Sequence, residues 1–178
     1  MAILMMFLDI DSEQKIKDYQ KNINENGIYS HCFTFDIEPH ITVGGFDNIE
    51  DGIELDKANE TLKMYCSRTK RVKIRFSSLG IFNLNNPVVF LAPDVTESLL
   101  DLYKDLHKTF HDCGDDYDCI GTWIPHVTVN EYPDNTVPRD VRLDIICKST
   151  EYLMTNFQPF EAFITNMGFA EKRFDLIV

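Results

Sequence analysis

The sequence predicts a protein of mixed helices and strands that is built from two similar halves. The pattern Pro-His-aliphatic-Thr-Val occurs twice, first as "PHITV" and then as "PHVTV", so that His40 and His126 lie 86 positions apart. A glycine inside a hydrophobic stretch follows each pattern, Gly80 at 40 residues after His40 and Gly168 at 42 residues after His126. A motif strand, a helix and a strand with a glycine bend therefore recur in the same order, which favours an internal duplication.

The elements of the first half follow from composition and periodicity. The apolar opening "AILMMFLDI" predicts a strand, and residues 11–24 predict an amphipathic helix with Asp11 as its cap. "SHCFTFDI" and the first motif predict two more strands, and residues 56–68 predict a second helix. "RVKIRFSSLGIF" and "PVVFLAP" then predict two paired strands.

The second half repeats this pattern with its own helices. Residues 96–113 predict a helix, the acidic stretch "GDDYD" predicts a solvated loop, and the second motif predicts a strand. Residues 139–156 predict another helix, and "PFEAFITNMGFA" and "RFDLIV" predict the last strands. No low-complexity tract or linker divides the chain. We therefore expect one domain over residues 1–178, with repeat units at roughly 30–95 and 115–178.

Composition indicates a globular protein of the cytoplasm. Of the 178 residues, 44% are hydrophobic, which is enough for a core. The opening apolar run is too short to span a bilayer and has neither a basic flank nor a small-residue cleavage site, so we expect no membrane segment and no signal peptide. The five cysteines are odd in number and form no C-x-x-C pair. A disulfide framework and a structural zinc site are therefore not expected, and a reduced compartment is.

The net charge limits the partners. At −12, the chain offers no basic field for a long nucleic acid, because such binding depends on Lys and Arg that neutralise phosphates. A small nucleotide or oligonucleotide held by a few local groups remains compatible with this charge. The same charge disfavours non-specific self-association, so we expect a monomer.

Each motif presents an imidazole and a hydroxyl on one face of a strand. Side chains alternate along a strand, so His40 shares a face with Thr42, and His126 shares a face with Thr128. If the two halves pack about a twofold axis, both pairs converge on one cleft. One neutral histidine could then accept a proton from an attacking water while the other, protonated, donates one to the leaving oxygen. The threonine hydroxyls could donate hydrogen bonds to phosphate oxygens. The sequence leaves open which histidine is the base.

The two motifs, with the lead-ins "FDIEPH" and "TWIPH" and the strand "FSSLGIF", resemble the 2H phosphoesterase superfamily, which includes 2′-5′ RNA ligases and cyclic phosphodiesterases. The resemblance implies a two-lobed α+β fold with antiparallel sheets lining a central cleft and helices outside. It implies hydrolysis of 2′,3′-cyclic phosphates or 2′-5′ linkages without a metal or other cofactor. It places the catalytic histidines at His40 and His126 and the substrate-binding hydroxyls at Thr42 and Thr128. Many relatives carry a basic residue after the second motif, whereas this chain has Glu131, which disfavours a polyanion.

Two alternatives from other functional classes remain. The same cleft could hold a nucleotide or phosphate without turning it over. A metal-dependent phosphoesterase could instead use His107 and His111, which are spaced i, i+4 on a predicted helix.

Four residues near the motifs also have two interpretations. Phe46 and Tyr132 either stack on a nucleobase at the cleft mouth or anchor loops. Trp123 and Ile37 precede the histidines by three positions; they either pack in the core, as strict alternation predicts, or form a platform on which a base stacks.

Overall fold

A computed structural model describes residues 2–46, 49, 52–83, 85–110, 123–169 and 172–178. The strands are β1 (Ala2–Leu8), β2 (His40–Phe46), β3 (Val72–Phe82), β4 (Val88–Pro93), β5 (Val127–Glu131), β6 (Phe160–Phe169) and β7 (Lys172–Asp175). The helices are α1 (Ile10–Glu25), α2 (His31–Thr34), α3 (Ile53–Cys66), α4 (Glu97–Phe110) and α5 (Arg139–Asn156).

The seven strands form one antiparallel sheet in the order β2-β1-β6-β3-β4-β5, with β7 paired to β6. This order consists of two groups, β2-β1-β6 and β5-β4-β3, that meet where β6 pairs with β3. At the centre of that junction Ile74 lies opposite Ala162. The two residues are 88 positions apart, the same separation as Gly80 and Gly168. The predicted α+β fold with a pseudo-twofold duplication is therefore confirmed, and β4 is the counterpart of β1.

One face of the sheet packs with the helices into a single hydrophobic core. Alternate strand residues and the apolar sides of α1, α3, α4 and α5 form one buried cluster. Full burial of an aliphatic or aromatic side chain contributes about 1.5–3 kcal/mol, so this face largely fixes the register of the strands. None of the helices in the described ranges is long and apolar enough to cross a membrane.

Most predicted elements are present, and two local predictions are wrong. The stretch "SHCFTFDI" forms the short helix α2 rather than a strand, because the Ser30 hydroxyl caps it by accepting the backbone N–H of Phe33 at 3.3 Å. Helix α1 begins at Ile10, and its cap is Asp9 rather than Asp11, since the Asp9 carboxylate accepts the backbone N–H of Ser12 at 3.0 Å. Helix α5 has the bounds that the sequence predicted.

Replacing Gly168 with alanine is expected to destabilise the protein by about 1–3 kcal/mol, because overpacking against fixed atoms costs this much. A Cβ at Gly168 would lie 2.1 Å from the backbone carbonyl oxygen of Lys172 on β7, which cannot move without opening the β6–β7 hairpin. The measurement is urea unfolding followed by circular dichroism, in which one transition is expected if the chain forms one domain.

Gly80→Ala is the matched control for this variant. Its Cβ would meet the Phe90 ring at 2.2 Å, and a ring can turn away where a backbone cannot. We expect a smaller loss of stability than for Gly168→Ala. An unchanged midpoint for Gly168→Ala would contradict the close approach of β7.

Candidate active site

The two motifs occupy equivalent places on β2 and β5. In both, the side chains before and after the histidine are buried in the core, and the histidine and threonine are half-buried on the opposite face. The buried residues are Pro39, Ile41, Val43, Pro125, Val127 and Val129. His40 and Thr42 thus share one face of β2, and His126 and Thr128 share the corresponding face at β5, as alternation predicts.

The sheet brings these two strands together although they stand at its opposite ends. β2 and β5 contact each other, and the Trp123 indole N–H donates to the Thr42 carbonyl at 3.0 Å. The Trp123 ring also stacks on Tyr103 at 3.9 Å, which anchors the lead-in to β5 against α4. The sheet therefore curls until its terminal strands meet, which brings the two motifs together; we call the side on which their histidines lie the cleft face.

Both histidine rings are held in the same orientation. The Nδ1 atom of His40 lies 2.8 Å from the Glu38 carbonyl oxygen, and that of His126 lies 2.8 Å from the Ile124 carbonyl oxygen. Since a carbonyl oxygen only accepts, each Nδ1 carries a proton and donates it. Each Nε2 is then the nitrogen available to a substrate, as an acceptor when the ring is neutral and as a donor when it is charged.

The environment shifts the pKa of both histidines in the same direction for different reasons. Burial lowers the pKa of His40, and the negative charge of Glu131 partly offsets this. Burial also lowers the pKa of His126, where the Ile124 carbonyl raises it and the charge of His40 lowers it further. The charge of one ring therefore influences the titration of the other, as expected for two groups in one cleft.

The surroundings of the two rings differ. The His126 ring packs against Phe82 at 4.9 Å and against Phe90 at 5.1 Å. The His40 ring lies near Phe7, with the ring centroids 6.2 Å apart.

A comparison with protein families shows which family has this sequence pattern. A family model described as "2'-5' RNA ligase superfamily" matches residues 8–170. The chain belongs to the 2′-5′ RNA ligase superfamily. These proteins are 2H phosphoesterases, so the chain is by family a phosphodiesterase-type enzyme.

Solved structures share the fold of this superfamily member. The crystal structure of a phosphoesterase is 15% identical, has a TM-score of 0.57, and aligns over 99% of this chain and 98% of its own. Kluyveromyces marxianus Usb1 with uridine monophosphate is 10% identical, has a TM-score of 0.51, and aligns over 99% of this chain and 97% of its own. At these identities the similarity establishes the fold. No curated protein matches the sequence significantly.

In this superfamily member, an arginine that the sequence did not predict contacts the segment just before His40. The Arg173 guanidinium lies over the Phe7 ring at 3.8 Å and forms an ion pair with the Glu38 carboxylate. Arg173 thus contacts the same residue, Glu38, whose carbonyl orients the His40 ring. The sequence gives one hint of this arginine: the second motif lacks the basic residue that many relatives have, so a cation near the site has to come from another element.

Glu131 lies on the same face as Thr128, which strict alternation does not predict. Thr128 pairs with Phe90, Asn130 with Val89 and Glu131 with Val88, so Val129 is an extra residue in a β-bulge. Because of the extra residue, Val129 and Asn130 both face the core, and Glu131 faces the same side as Thr128. The Glu131 carboxylate therefore lies on the cleft face, where its charge acts on His40.

The remaining aromatic candidates lie in the core or at its edge. Phe46 is fully buried among Phe110 and Phe169, so it is a core residue. Trp123 packs against the same core, as predicted. Tyr132 is half-buried, with its ring 5.0 Å from that of Tyr29.

The residues of the metal-dependent alternative are only partly described. The His107 ring packs on Tyr103 at 4.1 Å, whereas His111 and "GDDYD" lie outside the described residues. Within the described ranges, no group of three or more His, Cys, Asp or Glu residues could hold a metal ion.

A groove of about 800 Å³ lies between the end of α3 and α4, and no motif residue lines it.

Proposed function

We propose that this protein hydrolyses 2′,3′-cyclic phosphates or 2′-5′ linkages in a small nucleotide or oligonucleotide by two-histidine acid–base catalysis. The observation that carries the proposal is the matched pair of half-buried histidines. Each turns its Nδ1 to the carbonyl two residues upstream, which leaves both Nε2 atoms available at one cleft. Membership in a phosphoesterase superfamily supports the reaction class, and the uridine monophosphate bound to a neighbour of the same fold supports a nucleotide ligand.

The reaction requires two proton transfers, one from the attacking water and one to the leaving oxygen. A water attacks phosphorus and gives its proton to the Nε2 of the neutral histidine. The bond from phosphorus to a ribose oxygen breaks, and the Nε2–H of the charged histidine protonates that oxygen. The Thr42 and Thr128 hydroxyls donate to the non-bridging oxygens, where charge accumulates. Two positioned imidazoles supply both transfers, so we propose that no metal is needed.

The deciding experiment is a product assay on a panel of 2′,3′-cyclic and 2′-5′-linked nucleotides in EDTA. Hydrolysis that depends on both His40 and His126 supports the proposal. Recovery of unchanged but bound nucleotide would instead support a binding protein that uses the same cleft. Loss of activity on chelation with recovery by a divalent ion would support the metal-dependent scheme with His107 and His111.

The rate should follow a bell-shaped pH profile, because catalysis needs one neutral and one charged imidazole. Burial lowers both histidine pKa values, so we expect the maximum below about pH 6.5, the ordinary histidine value. A flat profile between about pH 5 and pH 9 would rule out the two-histidine scheme.

Glu131→Gln should shift one limb of this profile and thereby assign the roles. The Glu131 charge raises the pKa of His40, so its removal lowers that pKa. If the basic limb moves to lower pH, His40 is the acid; if the acidic limb moves, His40 is the base.

We also propose a monomeric, cytoplasmic protein. Cys32 and Cys66 are buried free thiols, and burial raises the pKa of each to about 12, so both stay protonated and unreactive. The odd number of cysteines without a C-x-x-C pair supports a reducing compartment, and size-exclusion chromatography with light scattering tests the monomer.

A further inference from the structure

A β-bulge follows the threonine in both halves and changes which residue faces the cleft. In the first half Met5 pairs with Thr42 and Leu4 with Gly44, so the bulge lies at the same place as in β5. The position that returns to the cleft face is Gly45 in the first half and Glu131 in the second, 86 positions later. The second half thus places a carboxylate where the first half has no side chain.

A fully buried side chain fixes the segment beside this carboxylate. Asn130 is 0% exposed. Its amide oxygen accepts the His31 backbone N–H at 2.9 Å, and its amide nitrogen donates to the Tyr29 carbonyl at 2.8 Å and to the Ser149 hydroxyl at 3.0 Å. The start of α2 is therefore held against the edge of β5 by several hydrogen bonds, which pre-organises the rings that it carries.

These rings and Glu131 together form a rim. We define the α2 rim as Tyr29, His31, Phe35, Glu131 and Tyr132. The Phe35 and His31 ring centroids are 4.5 Å apart, and the His31 Nε2 lies 3.9 Å from the Glu131 carboxylate. Phe35 is 62% exposed although it lies only five residues before His40. The rim thus offers an open aromatic surface and a hydrogen-bond acceptor, both next to His31.

This combination of groups suits a nucleobase better than a phosphate. A carboxylate repels phosphate, but it accepts N–H bonds, and its two oxygens have acceptor sites beyond the one facing His31. Exposed aromatic rings stack on bases of any sequence, and the adjacent acceptor selects the edge of the base.

Building on the proposed phosphodiesterase function, we propose that the α2 rim is the nucleobase site. Phe35 stacks on the base, and Glu131 accepts a hydrogen bond from the amino group of cytosine or adenine. The substrate class is then a cytidine or adenosine nucleotide. A keto oxygen at the corresponding position of uracil or hypoxanthine would face the carboxylate without a proton between them.

The test uses two pairs of 2′,3′-cyclic phosphates that differ in this amino or keto group: cytidine with uridine, and adenosine with inosine. Wild-type protein is expected to favour the amino member of each pair in kcat/KM by about tenfold, since good base contacts discriminate by roughly this amount or more. In Glu131→Gln the preference should fall to about twofold or less, because an amide can present either its oxygen or its NH₂ group to the base.

Variants of the stacking ring separate base binding from base selection. Phe35→Leu should raise KM for all four nucleotides by about fivefold or more while the amino preference persists. Phe33→Leu is the matched control, since Phe33 lies on the same short helix and is 41% exposed. Its KM should stay within about twofold of the wild type, as is usual for surface substitutions.

The outcomes distinguish this inference from the proposed function. Histidine-dependent hydrolysis without an amino preference, or with a preference unchanged in Glu131→Gln, overturns the base site and leaves the phosphodiesterase intact. Binding of cytidine monophosphate over uridine monophosphate by calorimetry, lost in Glu131→Gln but without turnover of any nucleotide, supports the base site and overturns the hydrolase. No binding and no turnover overturn both.

Discussion

Replacing His40 or His126 with alanine is expected to lower kcat by about 10²–10⁴ for each variant, the range for loss of a positioned acid or base. Both rings are held through Nδ1 by a carbonyl at 2.8 Å, so Nε2 is the nitrogen left for the substrate. Because the two groups act in one step, the double variant should be little worse than either single one. Single-turnover hydrolysis of a nucleoside 2′,3′-cyclic phosphate in EDTA is the measurement.

His107→Gln is the control for this pair. His107 packs on Tyr103 in α4 and shares no strand with the motifs, so wild-type kcat is expected once the folded fraction is matched by circular dichroism. Full activity in either His40→Ala or His126→Ala would remove that histidine from the mechanism.

Replacing Thr42 or Thr128 with valine is expected to lower kcat by about 10²–10³, the usual loss for one donor to a developing oxyanion. Valine matches threonine in shape and is an equally good strand former, so the fold should persist. Both side chains are half-buried on the histidine face. Steady-state kinetics on the same cyclic phosphate provides the measurement.

The serine variants of both positions are the matched controls. Thr42→Ser and Thr128→Ser keep the hydroxyl, so they should retain most of the activity that the valine variants lose. Equal losses for serine and valine would point to packing on β2 and β5 rather than to a phosphate contact.

The sequence predicted the motif strands and their faces because these depend on short-range periodicity. Ile41 and Val127 are fully buried while the neighbouring histidines face the cleft. The long helix α5 was predicted to its bounds for the same reason. The glycine correspondence located the duplication, and the pairing of Ile74 with Ala162 at the same 88-residue separation supports it.

The features that distinguish the two halves depend on contacts far apart in the chain. The face of Glu131 follows from a bulge that no local pattern announces. Arg173 reaches the site only because β7 folds back on β6. The alternating residues of α2 resemble a strand, but a serine cap and the buried Asn130 hold them as one helical turn.

The matched bulges have a consequence for how a substrate enters. Were the two halves of the cleft identical, a phosphodiester could bind in either of two opposite orientations with equal affinity. Only one of the two orientations would place the attacking water opposite the correct leaving oxygen. Substrate bound in the other orientation would inhibit the enzyme. Under the proposed mechanism, glycine at 45 and glutamate at 131 are one difference by which the cleft distinguishes the two ends of the ester before any bond breaks.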